Sequence, residues 1–357
     1  MLKSMFSPVF MTILASKILI VITALCFKYT RLMLQVGYKV LGFVITLIIV
    51  RFIFPVELSI AQNIFLPQSL SFIISRVRRT CLVWRRISIS PWMIFCWVWL
   101  AVAMILIIRY LRCYCRCKMQ MKRLGIFLTE EAPACEMLNR ICLEQGKKNC
   151  FQVVEYAGVT TPCLFGIMRP YILLPKAYQL SEADLYIVLR HETAHHFHRD
   201  LLLKVALKMI TLVYWWNPIC WLLNNQTDVL LDMRIDEKLT SKGNTMKREY
   251  LNCLLRIADA SVDAETETSS TFVISMCRDS SLIKKRFVMM TEKRGKSHLA
   301  VVLALFVAVG IFCFSYSYTF EARYLSPEME QYTITSENGC LVLNSNKMKL
   351  SLLLNLM

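Results

Sequence analysis

The chain has 357 residues, 42 Lys and Arg against 25 Asp and Glu, and a formal net charge of +17. A hydrophobic fraction of 56% with only 19% charged residues excludes intrinsic disorder and exceeds what an ordinary soluble enzyme carries. Ten glycines and ten prolines exclude collagen-like and linker-rich chains, and fifteen scattered cysteines read as mostly buried thiols rather than a disulfide scaffold.

The apolar excess is concentrated in four segments, each near the roughly 20 residues that a helix needs to cross a bilayer. They are residues 5–27, 34–54, 91–108 and 299–318. The first is too long for a signal peptide and is followed by no A-x-A-like site, so it reads as a span. The third opens with Trp92, Trp97 and Trp99, which suit an interfacial aromatic belt.

Basic residues set the orientation, because positive loops stay cytoplasmic. Arg109, Arg112, Arg116, Lys118, Lys122 and Arg123 follow the third segment, and Lys284, Lys285, Arg286, Lys293, Arg294 and Lys296 precede the fourth. The region between them, residues 110–298, is therefore expected on the cytoplasmic side. Glu321, Glu328, Glu330 and Glu337 place the tail outside. One loop disagrees: Arg76, Arg78, Arg79, Arg85 and Arg86 lie between the second and third segments, where four crossings put the chain outside. Since the bases cluster beside apolar spans and accompany no base-reading motif, the partner they imply is the lipid bilayer and not nucleic acid.

The central region starts with the run RYLRCYCRCKMQMKR, whose Cys113, Cys115 and Cys117 lack C-x-x-C spacing. Lipidation, soft-metal binding and plain basic anchoring stay open there. Residues 132–145 read as a short helix, and FQVVEY and PCLFGIMRPYILLP as strands with a turn near Arg169 and Pro170. The strand ending in LLP is either a substrate-binding edge or a core strand, which pattern alone does not separate.

Four of the five histidines fall in RHETAHHFHRD. Ser181 as a cap, with Glu182 and Asp184 in the first turn, opens a helix ahead of this segment. On that helix His191 and His195 stand four apart and face the same way, spaced to hold one zinc ion. Glu192 is placed to take a proton from water at the open position. His196 and His198 lie off that face. Downstream, Asp228, Asp232 and Asp236 form an i, i+4, i+8 stripe among Val229, Leu230, Leu231 and Ile235, and unpaired carboxylates avoid such surroundings. The apolar run 201–223 contains Lys204 and Lys208 and reads as a packed or interfacial helix, not a fifth span.

Together, FGIMRPYILLP, HETAHHFHRD, the Asn217–Pro218 pair of WWNPICW and the acidic helix ending in Asp236 and Glu237 resemble the BlaR/MecR-type membrane metallopeptidases, the beta-lactam sensor-transducer and antirepressor family. The resemblance runs from the first span to the fourth. It implies an α+β chain, a polytopic α-helical membrane protein with a cytoplasmic, gluzincin-like zinc-peptidase domain. Residues 1–109 would hold three transmembrane helices, 110–298 the peptidase, 299–318 the fourth helix and 319–357 a short outer tail. Asp232 matches the family's third zinc ligand, a Glu there, and is one methylene shorter. Asp200 matches an Asp that orients a ligand or the helix, and His198 replaces the family's usual Arg.

The function implied is zinc endopeptidase signalling at a bacterial plasma membrane. The substrates would be a cytoplasmic transcriptional repressor and the chain itself, near residues 278–287, and a homodimer is a further expectation. The 39 residues after Tyr318 are too few for a penicillin-binding sensor domain. A receptor or scaffold that keeps the fold with weak catalysis is the competing class. An intramembrane peptidase is disfavoured by Arg190, His196, His198, Arg199 and Asp200 around the motif.

Overall fold

The computed structural model describes residues 6–56, 61–65, 81–84, 87–89, 91–176, 180–241, 243–265, 286–287, 290–291, 297–321, 331–337, 340–345 and 348–352. The basic residues expected at 76–86 and most of the proposed self-cleavage stretch 278–287 lie outside them. The chain divides into two compact units, one of Met1–Ile18, Val50–Ile107 and Val309–Met357, the other of Leu19–Ile49 and Ile108–Ala308.

Among the described residues, three helices are long and apolar enough to cross a membrane: α1 (Phe6–Lys28), α4 (Pro91–Leu124) and α10 (His298–Ser317). The segment expected at 34–54 is divided. Gly37 takes φ 82, which L side chains rarely adopt, and separates α2 (Thr30–Val36) from α3 (Tyr38–Ile53). At 16 residues α3 is about 24 Å long. Residues 91–108 are only the first half of α4, which continues without a break through the basic cysteine run to Leu124.

In the first unit, the loop after α3 and the tail after α10 pair with each other. Strand β1 (Gln62–Phe65) runs parallel to β8 (Tyr318–Glu321). The hairpin β2 (Cys81–Trp84) and β3 (Ile87–Ile89) joins β9 (Gln331–Glu337), β10 (Cys340–Ser345) and β11 (Met348–Leu352) in a sheet of order β11-β10-β9-β2-β3. Arg51, near the end of α3, is 1% exposed. It donates to the carbonyls of Phe54 (3.0 Å), Val56 (3.3 Å) and Ser315 (2.9 Å) and stacks 4.2 Å from the Tyr316 ring. This arginine satisfies carbonyls at a helix terminus and carries no topological signal.

The second unit is built on a four-stranded sheet of order β4-β5-β7-β6, with β4 Ile126–Phe127, β5 Gln152–Tyr156, β6 Cys163–Phe165 and β7 Tyr171–Pro175. Side chains alternate across it as the strand period of two requires. Val153, Ile172 and Leu174 pack with α5 (Pro133–Glu144), α6 (Glu182–Phe197), α8 (Pro218–Thr240) and α9 (Asn244–Glu265). Val154, Tyr156, Tyr171 and Leu173 pack against Cys117 and Met121 of α4. All five residues of β7 are buried, and it lies between β5 and β6. The LLP strand is thus a core strand; the edge beside it is β6, which lies against α6.

Helix α6 starts where the sequence places it. Ser181 Oγ accepts from the Asp184 N–H at 3.2 Å and donates to Asp184 Oδ2 at 2.7 Å. Arg256 of α9 grips the same carboxylate, Nε to Oδ2 at 2.9 Å and Nη2 to Oδ1. The Arg256 hydrogen bonds hold the Asp184 carboxyl below its ordinary value, against the opposing effect of burial. A depressed carboxyl contributes stability above its unfolded pKa, about 4, and loses it as pH falls through the folded value. Asp184→Asn should therefore lower stability by roughly 1–2 kcal/mol at neutral pH, the solvent around exposed Arg256 keeping the figure small. Thermal melts in detergent should show the two proteins converging well below pH 4.

The run 201–223 breaks into α7 (Asp200–Val213), a turn, and α8. The Asn217–Pro218 pair starts α8: the Asn217 side chain accepts from the Ile219 N–H at 3.3 Å and Pro218 takes the first helical position. Gln226 of α8 accepts from Thr23 of α1 at 2.9 Å, both buried. Gly42 of α3 leaves room for Leu230 of α8: a β-carbon there would sit 3.4 Å from the leucine. The inner parts of α1 and α3 therefore form the packing partners of α8.

Candidate metal centre

Helix α6 brings His191, Glu192 and His195 into the unit's interior, 5%, 6% and 5% exposed, and α8 supplies Asp232 at 0%. A nitrogen from each of the two imidazoles and one Asp232 oxygen lie within 4.8 Å of one another. His191 Nε2 and His195 Nε2 are 3.1 Å apart, and Asp232 Oδ1 is 3.4 Å from His195 Nε2. The α6 helical repeat sets the first distance; the packing of α8 on α6 sets the second.

The other ring nitrogens are engaged. His195 Nδ1 is 2.8 Å from Asp200 Oδ2. A carboxylate only accepts, so this nitrogen carries the proton. Asp200 reaches back because Arg199 takes the left-handed φ of 58 between α6 and α7, a conformation costing a non-glycine residue about 1 kcal/mol. Arg234 of α8 holds the second Asp200 oxygen. Burial alone would raise the Asp200 carboxyl, but His195 and Arg234 outweigh it and hold it below the usual carboxylate range.

His191 Nδ1 is 2.8 Å from the Tyr250 hydroxyl of α9, which donates to Asp236 Oδ1 at 2.5 Å. Arg286 binds both Asp236 oxygens, at 2.7 and 2.5 Å, and donates to Tyr250 Oη at 2.9 Å. With the tyrosine proton committed to Asp236, His191 Nδ1 must donate. Both Nε2 atoms are then lone pairs facing each other and a carboxylate oxygen. Three buried electron-rich atoms repel unless a positive charge lies among them. The same demand acts on His195: burial works against its charge, yet Asp200 and Asp232 raise its basicity above the ordinary value. Two imidazole nitrogens and one carboxylate, oriented through their far sides, suit a divalent cation such as zinc.

Glu192 is close enough to His195 to contribute to that rise, and among the described residues no side chain hydrogen-bonds it. The acidic stripe of α8 divides by depth. Asp228 pairs with Lys204 at 2.9 Å, both about a third exposed; Asp232 joins the histidines; Asp236 joins Arg286 and Tyr250. His196 packs edge-on against Phe151, and His198 lies 3.3 Å from Lys238. Neither meets the cluster, and burial lowers the basicity of both.

Tyr250 and Arg286 escaped the sequence reading. Tyr250 sits in a helix with no motif, and Arg286 reads as one of several bases before α10. The only signal was the buried setting of Asp236, which demanded a counter-charge from elsewhere.

A family model described as BlaR1 peptidase M56 matches residues 8–290. Among curated relatives, the regulatory protein BlaR1 of Bacillus licheniformis is 30% identical over 121 residues, 32% of this chain and 20% of the relative. Its counterpart in Staphylococcus aureus is 20% identical over 217 residues, 60% of this chain and 36% of the relative. The chain thus spans about a fifth to a third of the length of the relatives it matches.

Proposed function

Because the chain belongs to the BlaR1 peptidase M56 family, we propose that it is a multi-pass zinc endopeptidase acting in bacterial signal transduction, with His191, His195 and Asp232 holding the metal and Glu192 as general base. The observation that carries this reading is the orientation of both imidazoles: each Nδ1 is bound from behind, which leaves each Nε2 and the Asp232 oxygen converging.

When bound, zinc would supply a Lewis acid that polarises the scissile carbonyl and makes water acidic enough to attack. Glu192 would serve as the proton acceptor for an attacking water and as the donor to the leaving amine. Asp200 and Tyr250 keep the imidazoles in the donating tautomer at Nδ1 and fixed in rotation. An extended substrate would add to the free edge of β6, where main-chain hydrogen bonds hold it beside α6.

The topology we favour has four crossings, in α1, α3, α4 and α10, with residues 110–298 in the cytoplasm. The pairing of β2 with β9 supports it, since strands of one sheet lie on one side of a membrane. The names of the relatives support a regulatory task, with a cytoplasmic repressor or the chain itself as the cut substrate.

Purified in detergent, the chain should carry one zinc, cut an unstructured protein such as casein, lose that activity to a chelator and regain it with added zinc. Full cleavage by zinc-free protein would refute the assignment. Bound zinc without cleavage of casein or of a candidate repressor would favour the receptor or scaffold class.

A further inference from the structure

Arg286 is 1% exposed, yet it belongs neither to the helix that carries the two histidines nor to the one that carries Asp232. It comes from the stretch between α9 and α10. Burial opposes its charge, and Asp236 outweighs that opposition. Its nitrogens bind both Asp236 oxygens and the Tyr250 hydroxyl oxygen. Three partners around one hydroxyl leave a single consistent arrangement of protons.

We propose that Arg286 is a positioning residue that fixes the tautomer of His191 through Tyr250, so that the metal centre is complete only while Arg286 is seated on Asp236 and Tyr250. The inference rests on the zinc-peptidase reading. A phenol has one proton to give and two lone pairs. Asp236 takes the proton, and the guanidinium fills one lone pair. The lone pair left over faces His191 Nδ1, which can only donate to it. The proton of the neutral imidazole is thereby held on Nδ1, and Nε2 is free to bind a cation.

Without Arg286 that constraint fails. Asp236 loses the fork that anchors it and Tyr250 loses the donor that fills one of its lone pairs, so the hydroxyl is no longer confined to one rotation and can turn its proton toward His191 Nδ1. The imidazole proton then moves to Nε2, where it blocks metal binding. Asp200 plays the corresponding part for His195 from within five residues on the chain. His191 depends instead on a residue 95 positions away, in a stretch that leads into the membrane helix α10. Displacing Arg286 from Asp236 and Tyr250 would change the metal affinity of the peptidase without touching a ligand.

The test is zinc affinity by competition with a chromophoric chelator, with the absorption spectrum of the cobalt-substituted chain as a second readout. Arg286→Ala should weaken zinc binding by about 10- to 100-fold, the range of outer-sphere changes. Arg286→Lys, which keeps the charge and loses the fork, should fall between the two, and millimolar guanidinium should restore Arg286→Ala toward wild type. Tyr250→Phe should weaken binding by a similar factor, and the double variant should be no worse than the weaker single one.

Wild-type zinc affinity in Tyr250→Phe, or losses that multiply in the double variant, would overturn the proposal. If Arg286→Ala fails to fold, Tyr250→Phe and Arg286→Lys still decide it. A wild-type chain that takes up no zinc or cobalt would overturn the zinc-peptidase reading instead, and is told apart because it fails before any substitution.

Discussion

Glu192→Gln should leave zinc bound at one per chain and reduce cleavage by about 10²- to 10⁴-fold, the usual contribution of a positioned proton acceptor. The substitution keeps the size of the side chain and its burial, and it removes the capacity to take a proton. Three features of the site make Glu192 the residue to choose. It follows His191 directly on α6 and lies close enough to His195 to act on its charge. It is 6% exposed, a setting in which an idle carboxylate is costly. Among the described residues no hydrogen bond from another side chain occupies it, whereas Asp184, Asp200 and Asp236 are each gripped by an arginine. The measurement is kcat/KM on casein or a peptide substrate, beside zinc content and melting temperature. Equal cleavage by variant and wild type would remove Glu192 from the mechanism and direct attention to another base.

What the sequence disclosed about this site follows from how far apart its parts lie on the chain. His191, Glu192, His195 and Asp200 sit within one helix and the turn after it, so helical spacing places them before any tertiary contact is known. Asp232 needed the added argument that a carboxylate among Val229, Leu230 and Leu231 must have a partner. Tyr250 and Arg286 needed the fold itself, because their relation to His191 arises only where α9 and the Arg286 side chain meet at Asp236 and His191. The same rule holds for the architecture. Segments 5–27, 91–108 and 299–318 were legible from composition because apolar length is a local property. The pairing of β2 with β9 joins strands about 250 residues apart, and nothing local announces it. The burial of Arg51 against carbonyls and the Tyr316 ring is likewise a tertiary property, which a count of charges does not register.

Asp232→Ala should cost zinc affinity more than any outer-sphere change, by more than about 100-fold, and should abolish metal-dependent cleavage with it. The carboxylate has no exposed surface, and its nearest charged partners are the imidazole of His195 and, at longer range, Arg286. A cation beside it would account for its place in so apolar a section of α8. Alanine removes both the negative charge and the oxygen donor, and leaves two neutral imidazoles facing each other. Asp232→Glu gives the contrasting result. The charge and an oxygen donor remain, so zinc stays at one per chain. The added methylene must be fitted at a position with no exposed surface, at a cost of about 1–3 kcal/mol in stability. Together the two variants separate what the metal requires of residue 232, a carboxylate, from what the packing of α8 on α6 requires, a short one. If Asp232→Ala keeps wild-type zinc affinity, the third donor lies elsewhere and the convergence of this oxygen on the two Nε2 atoms has no bearing on the metal.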